Sequence, residues 1–102
     1  MIHVIAEIET TEGKREAFLE EFRKVVPLVR EEAGCIEYGA TIDASTGIDR
    51  PAPIRDEPVT IVEKWSDVDA LRAHLDSDHM AAYRERVGDH GAGATRRILE
   101  PA

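Results

Sequence analysis

The sequence predicts an α+β domain: one antiparallel four-stranded sheet with helices packed on one of its faces. Three observations carry this. Residues 2–9 alternate apolar and polar side chains at strand length, and residues 59–65 form a second short run rich in apolar groups. Phe18, Phe22, Val25, Val26 and Val29 recur at helical spacing. Strand-like and helix-like segments then follow one another as β-α-β-β-α-β. With 102 residues the chain has room for a single domain over 1–102.

The first strand covers Ile2 to Glu9. Ile2, Val4, Ala6 and Ile8 share one face; His3, Ile5, Glu7 and Glu9 share the other. Thr11 is placed to cap a long helix from about Glu12 to Ala33. Pro27 removes a backbone donor inside it and is expected to kink it. Gly34 suits the left-handed residue that ends a helix. Cys35 to Asp43 reads as the second strand, with Ile36, Tyr38, Ala40 and Ile42 on one face. Residues 43–58 are rich in Pro, Gly and Asp and have no period, which predicts a long loop, either functional or mobile. Val59 to Trp65 is the third strand. Ser66 can cap a helix from Asp67 to Leu75, with Asp69 completing a box-like pair. Asp76-Ser77-Asp78 offers a new cap, so a further helix is expected from His79 to about Val87. Gly88, Gly91 and Gly93 mark a loop, and Ala94 to Glu100 a last strand. The order is the ferredoxin-like plan with its second helix broken in two.

Val4, Ile5, Ile61 and Val62 put apolar groups on both faces of the strands, yet the helices can cover only one. A second copy of the chain, packed sheet to sheet, is the simplest cover. Apolar burial at about 25 cal/mol per Å² would drive that homodimer.

Charge narrows the partners. The net charge is -8, which argues against nucleic acid and against anionic membrane surfaces. No apolar run reaches transmembrane length. Met1-Ile2-His3-Val4 enters a strand directly, without the basic and apolar regions of a signal peptide. Cys35 is the single cysteine, which fits a reducing cytoplasm and leaves no zinc pattern built on paired cysteines. Just after Gly34, it reads as a small buried hydrophobe.

The densest chemistry lies between Glu63 and His79. Leu71, His74 and Leu75 fall at i, i+3 and i+4, so His74 lies on the buried stripe of its helix. A titratable group there is costly unless paired or used. His79 sits at a helix start, where the dipole favours a neutral imidazole and so a general base. Packing against a carbonyl or carboxylate is the plainer role for His74, and solvent exposure the plainer one for His79. Tyr83 lies one turn after His79, and Tyr38 projects from the second strand; either could donate to a substrate oxygen or simply pack. Trp65 ends its strand as a stacking surface or a core residue. Glu63 could orient a histidine or face solvent. His3 and Arg97 lie on strands and could face a pocket or a dimer seam. The i, i+5 spacing of His74 and His79 is wrong for one helix face, so no metal site is expected.

Four segments, in this order, resemble the antibiotic biosynthesis monooxygenase family of dimeric α+β barrels. They are the first strand followed by Glu12-Gly13-Lys14-Arg15-Glu16-Ala17-Phe18; Val26-Pro27 followed by Glu32-Ala33-Gly34-Cys35-Ile36-Glu37-Tyr38; Glu63-Lys64-Trp65-Ser66-Asp67; and Ala70-Leu71-Arg72-Ala73-His74 with Ser77-Asp78-His79 close behind. Together they cover most of the chain. The resemblance implies a homodimer with a pocket between sheet and helices. It also implies oxidation of a quinol or related phenol by molecular oxygen, with no metal or flavin cofactor. The haem-degrading branch needs a first-strand Asn that this chain lacks. The 43–58 loop is longer than the family's usual hairpin connection and leaves the substrate open.

On this reading His79, then His74, is the base that makes an electron-rich phenolate, and a dry pocket lets that anion meet oxygen. Tyr83, Tyr38 or Arg97 steadies the oxyanion, while Trp65 and Leu71 line the aromatic ring. A non-catalytic small-molecule-binding dimer, or an isomerase using the same histidine as a proton shuttle, fits the same residues.

Overall fold

Strands and helices alternate in the computed structural model, which describes residues 1–49 and 52–102. They are β1 (Ile2–Thr10), α1 (Arg15–Arg30), β2 (Cys35–Thr41), β3 (Pro58–Trp65), α2 (Val68–Leu75), α3 (Asp78–Val87) and β4 (Gly91–Leu99), with a 3₁₀ turn at Gly88–His90. The sheet is antiparallel and ordered β2-β3-β1-β4. This is the ferredoxin-like arrangement, with the second helix divided as its capping signals predict.

Strand alternation sets the two faces. Val4, Ala6, Tyr38, Val59, Ile61 and Trp65 point toward the helices and are buried. They meet Phe18, Leu19, Phe22, Val25 and Val29 on the apolar stripe of α1. Phe22 stacks on Tyr38 at 5.4 Å, and Tyr38 meets Trp65 edge-on at 6.5 Å, so aromatic contacts run from α1 through the sheet. On the other face Ile5 lies opposite Val62, and both are only half-buried.

Several boundaries differ from those read in the sequence, each for a local reason. Helix α1 begins at Arg15, after a Lys14 cap that makes no side-chain bond. The Thr11 hydroxyl instead donates to the Asp89 carbonyl and ties the loop to the 3₁₀ turn. The helix continues through Pro27 but stops at Arg30, because residues 31–34 form a turn closed by Glu32 N–H to the Val29 carbonyl and Cys35 N–H to the Glu32 carbonyl. Asp67, not Ser66, caps α2, accepting from the Ala70 amide at 2.8 Å. A register shift between Cys35 and Glu37 turns Ile36 out to solvent, off the face it was expected to share with Tyr38. Gly91 and Gly93 lie in β4 rather than a loop, since pairing with β1 outweighs their weak strand preference.

The middle of the expected 43–58 loop, residues 50 and 51, lies outside the described residues. Its base is clamped: Arg55 makes a two-pronged pair with Asp43, at 2.9 and 3.1 Å, and also bonds Glu7 on the open face of the sheet. That pairing holds the Asp43 carboxyl below its ordinary range.

Gly34 fixes how α1 hands over to the sheet. Its φ is +83°, and its carbonyl accepts from the Ser66 amide at 2.8 Å. A Cβ there would stand 2.6 Å from both the Ala70 Cβ and the Ser66 Oγ. The glycine thus lets the turn carrying Glu32 lie directly against the start of α2. Gly34→Ala should cost well over ~1 kcal/mol, since left-handed strain adds to a clash with the Ala70 and Ser66 side chains. A fall in melting temperature beyond about 5 °C is expected; an unchanged midpoint would mean the turn relaxes freely away from α2.

Candidate functional site

The break between α2 and α3 creates the site. On an unbroken helix, residues five apart would point roughly 140° apart. Here Ser77 ends one helix and opens the next, its hydroxyl donating back to the His74 carbonyl at 2.7 Å. The chain turns at that point, and His79 comes back beside His74. Both converge on Glu32, from the turn after α1: His74 Nδ1 lies 2.9 Å and His79 Nε2 3.0 Å from the same oxygen, Oε2.

A carboxylate only accepts, so both imidazoles donate to it. His74 therefore carries a proton on Nδ1, and Nε2 is its other ring nitrogen. That second nitrogen faces the Glu63 Oε1 at 4.0 Å. The Trp65 indole donates to the same Glu63 oxygen at 2.9 Å. The imidazole of His74 is 1% exposed, with the Trp65 ring 4.7 Å away and Tyr38 edge-on at 5.3 Å. The bonded pairs Glu32–His74 and Glu63–Trp65 thus face each other across 4.0 Å inside an aromatic shell.

The two pairs meet beside a cavity of about 340 Å³ between the helix-facing side of the sheet and the helices α1 and α3. His74 and Glu63 are on its wall, facing Arg96 of β4. Phe18, Met80, Ile61 and Ala6 supply apolar wall; Tyr38 and Tyr83 supply aromatic wall with a hydroxyl each. Burial pushes the carboxyl of Glu63 up, against the opposing pull of Trp65, His74 and Arg96. Burial also pushes both phenols up, with the Glu63 charge adding at Tyr38, so both remain protonated donors at neutral pH. A larger, more open groove of about 520 Å³ runs along α1 beside β2, but none of these polar groups lines it.

The structure thus brings together His74, Tyr38 and Tyr83 at one cavity, with Glu63 between them. Other expected site residues fall elsewhere. Trp65 is fully buried behind His74, where it anchors Glu63 and does not line the cavity. Leu71 is 3% exposed in the core and is likewise absent from the wall. Arg97 pairs with Ile5 and so faces the open side of the sheet; its neighbour Arg96 pairs with Ala6 and faces the cavity. His3 is on the open side as well, opposite Lys64 and Leu99. His79 engages Glu32 without reaching the cavity wall. Cys35 is half-buried, its thiol pushed up by burial and by Glu32.

Two residues escaped sequence reading. Arg96 could not be separated from Arg97 without the register. Glu32 carried a signal: acidic side chains at Glu31 and Glu32 oppose the dipole at the end of α1, so a specific partner could have been sought. The spacing argument against a shared histidine site also fails, because the helix break brings Glu32, His74 and His79 within 4.8 Å of one another at their ligating atoms.

Glu63 gives a stability test. Its folded carboxyl titrates above its ordinary value, so its favourable contribution is complete at acid pH and is lost as pH rises through the folded value. Glu63→Gln keeps an acceptor for Trp65 without the buried charge. It should melt above the unmodified protein at pH 8, with the gap closing toward pH 4. A variant that melts lower at pH 8 would show that the Glu63 charge stabilises the fold.

Comparison with known proteins agrees with this architecture. The family model described as antibiotic biosynthesis monooxygenase matches residues 1–86. The Escherichia coli K12 protein named "Probable quinol monooxygenase YgiN" is 38% identical over 103 residues, covering 99% of this chain and 98% of that protein. Among solved structures, PA3566 from Pseudomonas aeruginosa superposes with a TM-score of 0.80 at 24% identity, over 99% of this chain and 93% of that one. SO0527 from Shewanella oneidensis gives 0.77 at 28% identity, over 96% and 87%. These structures share the fold from the first strand to the last. By the family match and by its likeness to YgiN along nearly its whole length, the chain belongs to the antibiotic biosynthesis monooxygenase family.

Proposed function

We propose that the protein is a cofactor-independent monooxygenase that oxidises a quinol or related phenol with molecular oxygen. The observation that carries this reading is the placement of His74 at the wall of a largely apolar cavity, held at Nδ1 by Glu32 with Nε2 on the side of Glu63. The name of the YgiN relative supports the same substrate class. The phenolic hydroxyl gives its proton to His74 Nε2. The imidazolium that forms lies between the carboxylates of Glu32 and Glu63, where its charge is offset on both sides. The phenolate carries its electron density to a ring carbon, which bonds to oxygen as a hydroperoxide. Loss of water then leaves one oxygen atom in a new ring carbonyl and the other in water. Tyr38, Tyr83 and Arg96 surround the place where the oxyanion develops. The apolar walls keep competing water away from the anion.

The reading includes a homodimer and a cytoplasmic location. No helix among the described residues is long and apolar enough to cross a membrane. The open face of the sheet, with Ile5, Val62 and Leu99, and the exposed Ile98 on β4 support pairing with a second copy. Nucleic acid and membrane surfaces remain unsuited to the net charge of -8.

Two measurements test these statements. His74→Gln should slow oxygen uptake with a reduced naphthoquinone by about 10²–10⁴-fold, the usual contribution of a general base. Because His74 is buried, circular dichroism must show the variant folded; Tyr83→Phe and Arg96→Ala probe the same step from the cavity side and should each lower the rate. Uptake unchanged in all three would remove the base and oxyanion assignments. Quinol binding without any uptake in the unmodified protein would instead favour a non-catalytic binding module. Sedimentation at micromolar concentration should give twice the chain mass of 11.3 kDa, whereas a stable folded monomer would overturn the dimer.

A further inference from the structure

We infer that Glu32, His74 and His79 form a binding site for a divalent transition-metal ion such as Zn²⁺, on the outer side of His74 from the cavity. The three ligating atoms come from three separate segments: the turn after α1, the end of α2 and the start of α3. Glu32 Oε2 lies 2.9 Å from His74 Nδ1 and 3.0 Å from His79 Nε2, and all three atoms fall within 4.8 Å. Ligands at 2.0–2.1 Å around a tetrahedral ion stand about 3.3 Å apart; the two edges to Glu32 are close to that, and the two histidine nitrogens, within 4.8 Å of each other, must draw together as the ion enters.

The donor set selects the class of ion. Two imidazoles and one carboxylate suit zinc and its late first-row neighbours, whereas calcium and magnesium prefer oxygen alone. Three protein ligands leave a fourth position for water, so the site is of the open type. The other nitrogen of His74 faces Glu63 at 4.0 Å, which supplies the outer carboxylate that metal-bound histidines commonly use. Entry is from solvent past His79, whose side chain is 26% exposed while that of His74 is 2% exposed.

Loading requires no net loss of protons from two neutral imidazoles. Each ring moves its proton to the nitrogen away from the ion and offers the freed lone pair. His74 then carries its proton on Nε2, the atom that faces the cavity, and can no longer accept one there. The ion would therefore switch off the base. This last consequence rests on the base assignment proposed above; the binding site does not.

Cobalt(II) reads the site without any need for turnover. Titration of the unmodified chain with Co²⁺ should give one ion per chain and the strong visible absorption of a four-coordinate site, displaced by Zn²⁺. His79→Ala lies at the surface and leaves the core intact; it should weaken binding by at least about ten- to hundredfold, the loss that even an outer-shell change produces. Glu32→Gln should weaken it as well, while His90→Ala should not. No visible spectrum with the unmodified chain, or Co²⁺ affinity unchanged in both His79→Ala and Glu32→Gln, would overturn the site. Site-specific Co²⁺ binding that leaves quinol oxidation untouched would retain the site and reject the base assignment.

Discussion

One carboxylate oxygen ties three segments of this protein together. Glu32 Oε2 accepts from two imidazoles that belong to different helices, and its own backbone closes the turn that leads into β2. A carboxylate with so little solvent is expensive unless its lone pairs are met. Here two donors meet them, and the arrangement dictates what surrounds it. The turn must approach α2 closely, which requires a residue without a Cβ at Gly34. Helices α2 and α3 must change direction between His74 and His79, which Ser77 permits by serving both ends. His74 must present Nδ1 to Glu32, and this leaves Nε2 for the cavity side.

The sheet contributes a second constraint, the two-residue period of its strands. Pairing Ala6 with Arg96 and Ile5 with Arg97 sends two consecutive arginines to opposite faces. One joins Glu63 and His74 at the cavity. The other joins His3 and Lys64 on the uncovered side. A slip of one residue would take Arg96 away from the buried carboxylate and put Thr95 or Arg97 in its place. The same alternation places Val4 and Ile61 in the core and leaves Ile5 and Val62 half-covered on the open face. The sheet that builds the pocket therefore also builds the surface suited to a second copy.

The backbone plan was legible because each element had a local cause. Alternation marked β1, helical spacing marked α1, Gly34 marked its end, and Asp76-Ser77-Asp78 marked the break between α2 and α3. His74 stood out as a polar residue on an apolar stripe, and it is buried at the cavity wall. That His74 reaches the cavity wall while His79 does not was not legible. It depends on the angle between two helices and on a carboxylate about forty residues upstream, neither of which a single-chain pattern encodes. Trp65 shows the same limit: its position at a strand end was clear, but its task of holding Glu63 rather than a substrate emerges only from packing. Gly91 and Gly93 were misread as loop because strand pairing is decided by the partner strand, not by local preference.

These departures from simple core chemistry share one location. A leucine at position 74 and an apolar residue at 63 would satisfy the same sheet and helices with no buried charge and no bonds to arrange. The chain instead places an imidazole and a carboxylate there, adds Glu32 against the dipole of α1, and surrounds all three with Trp65, Tyr38 and Tyr83. Such a concentration of buried polar groups in one place is a more specific pointer than any one residue. The cluster is also directional. His74 meets Glu32 through Nδ1 and has Glu63 on the side of Nε2. A polar cluster kept only to join helices would have no need of that asymmetry. The proposed proton transfer uses it: an imidazole held at one nitrogen presents the other in a fixed direction.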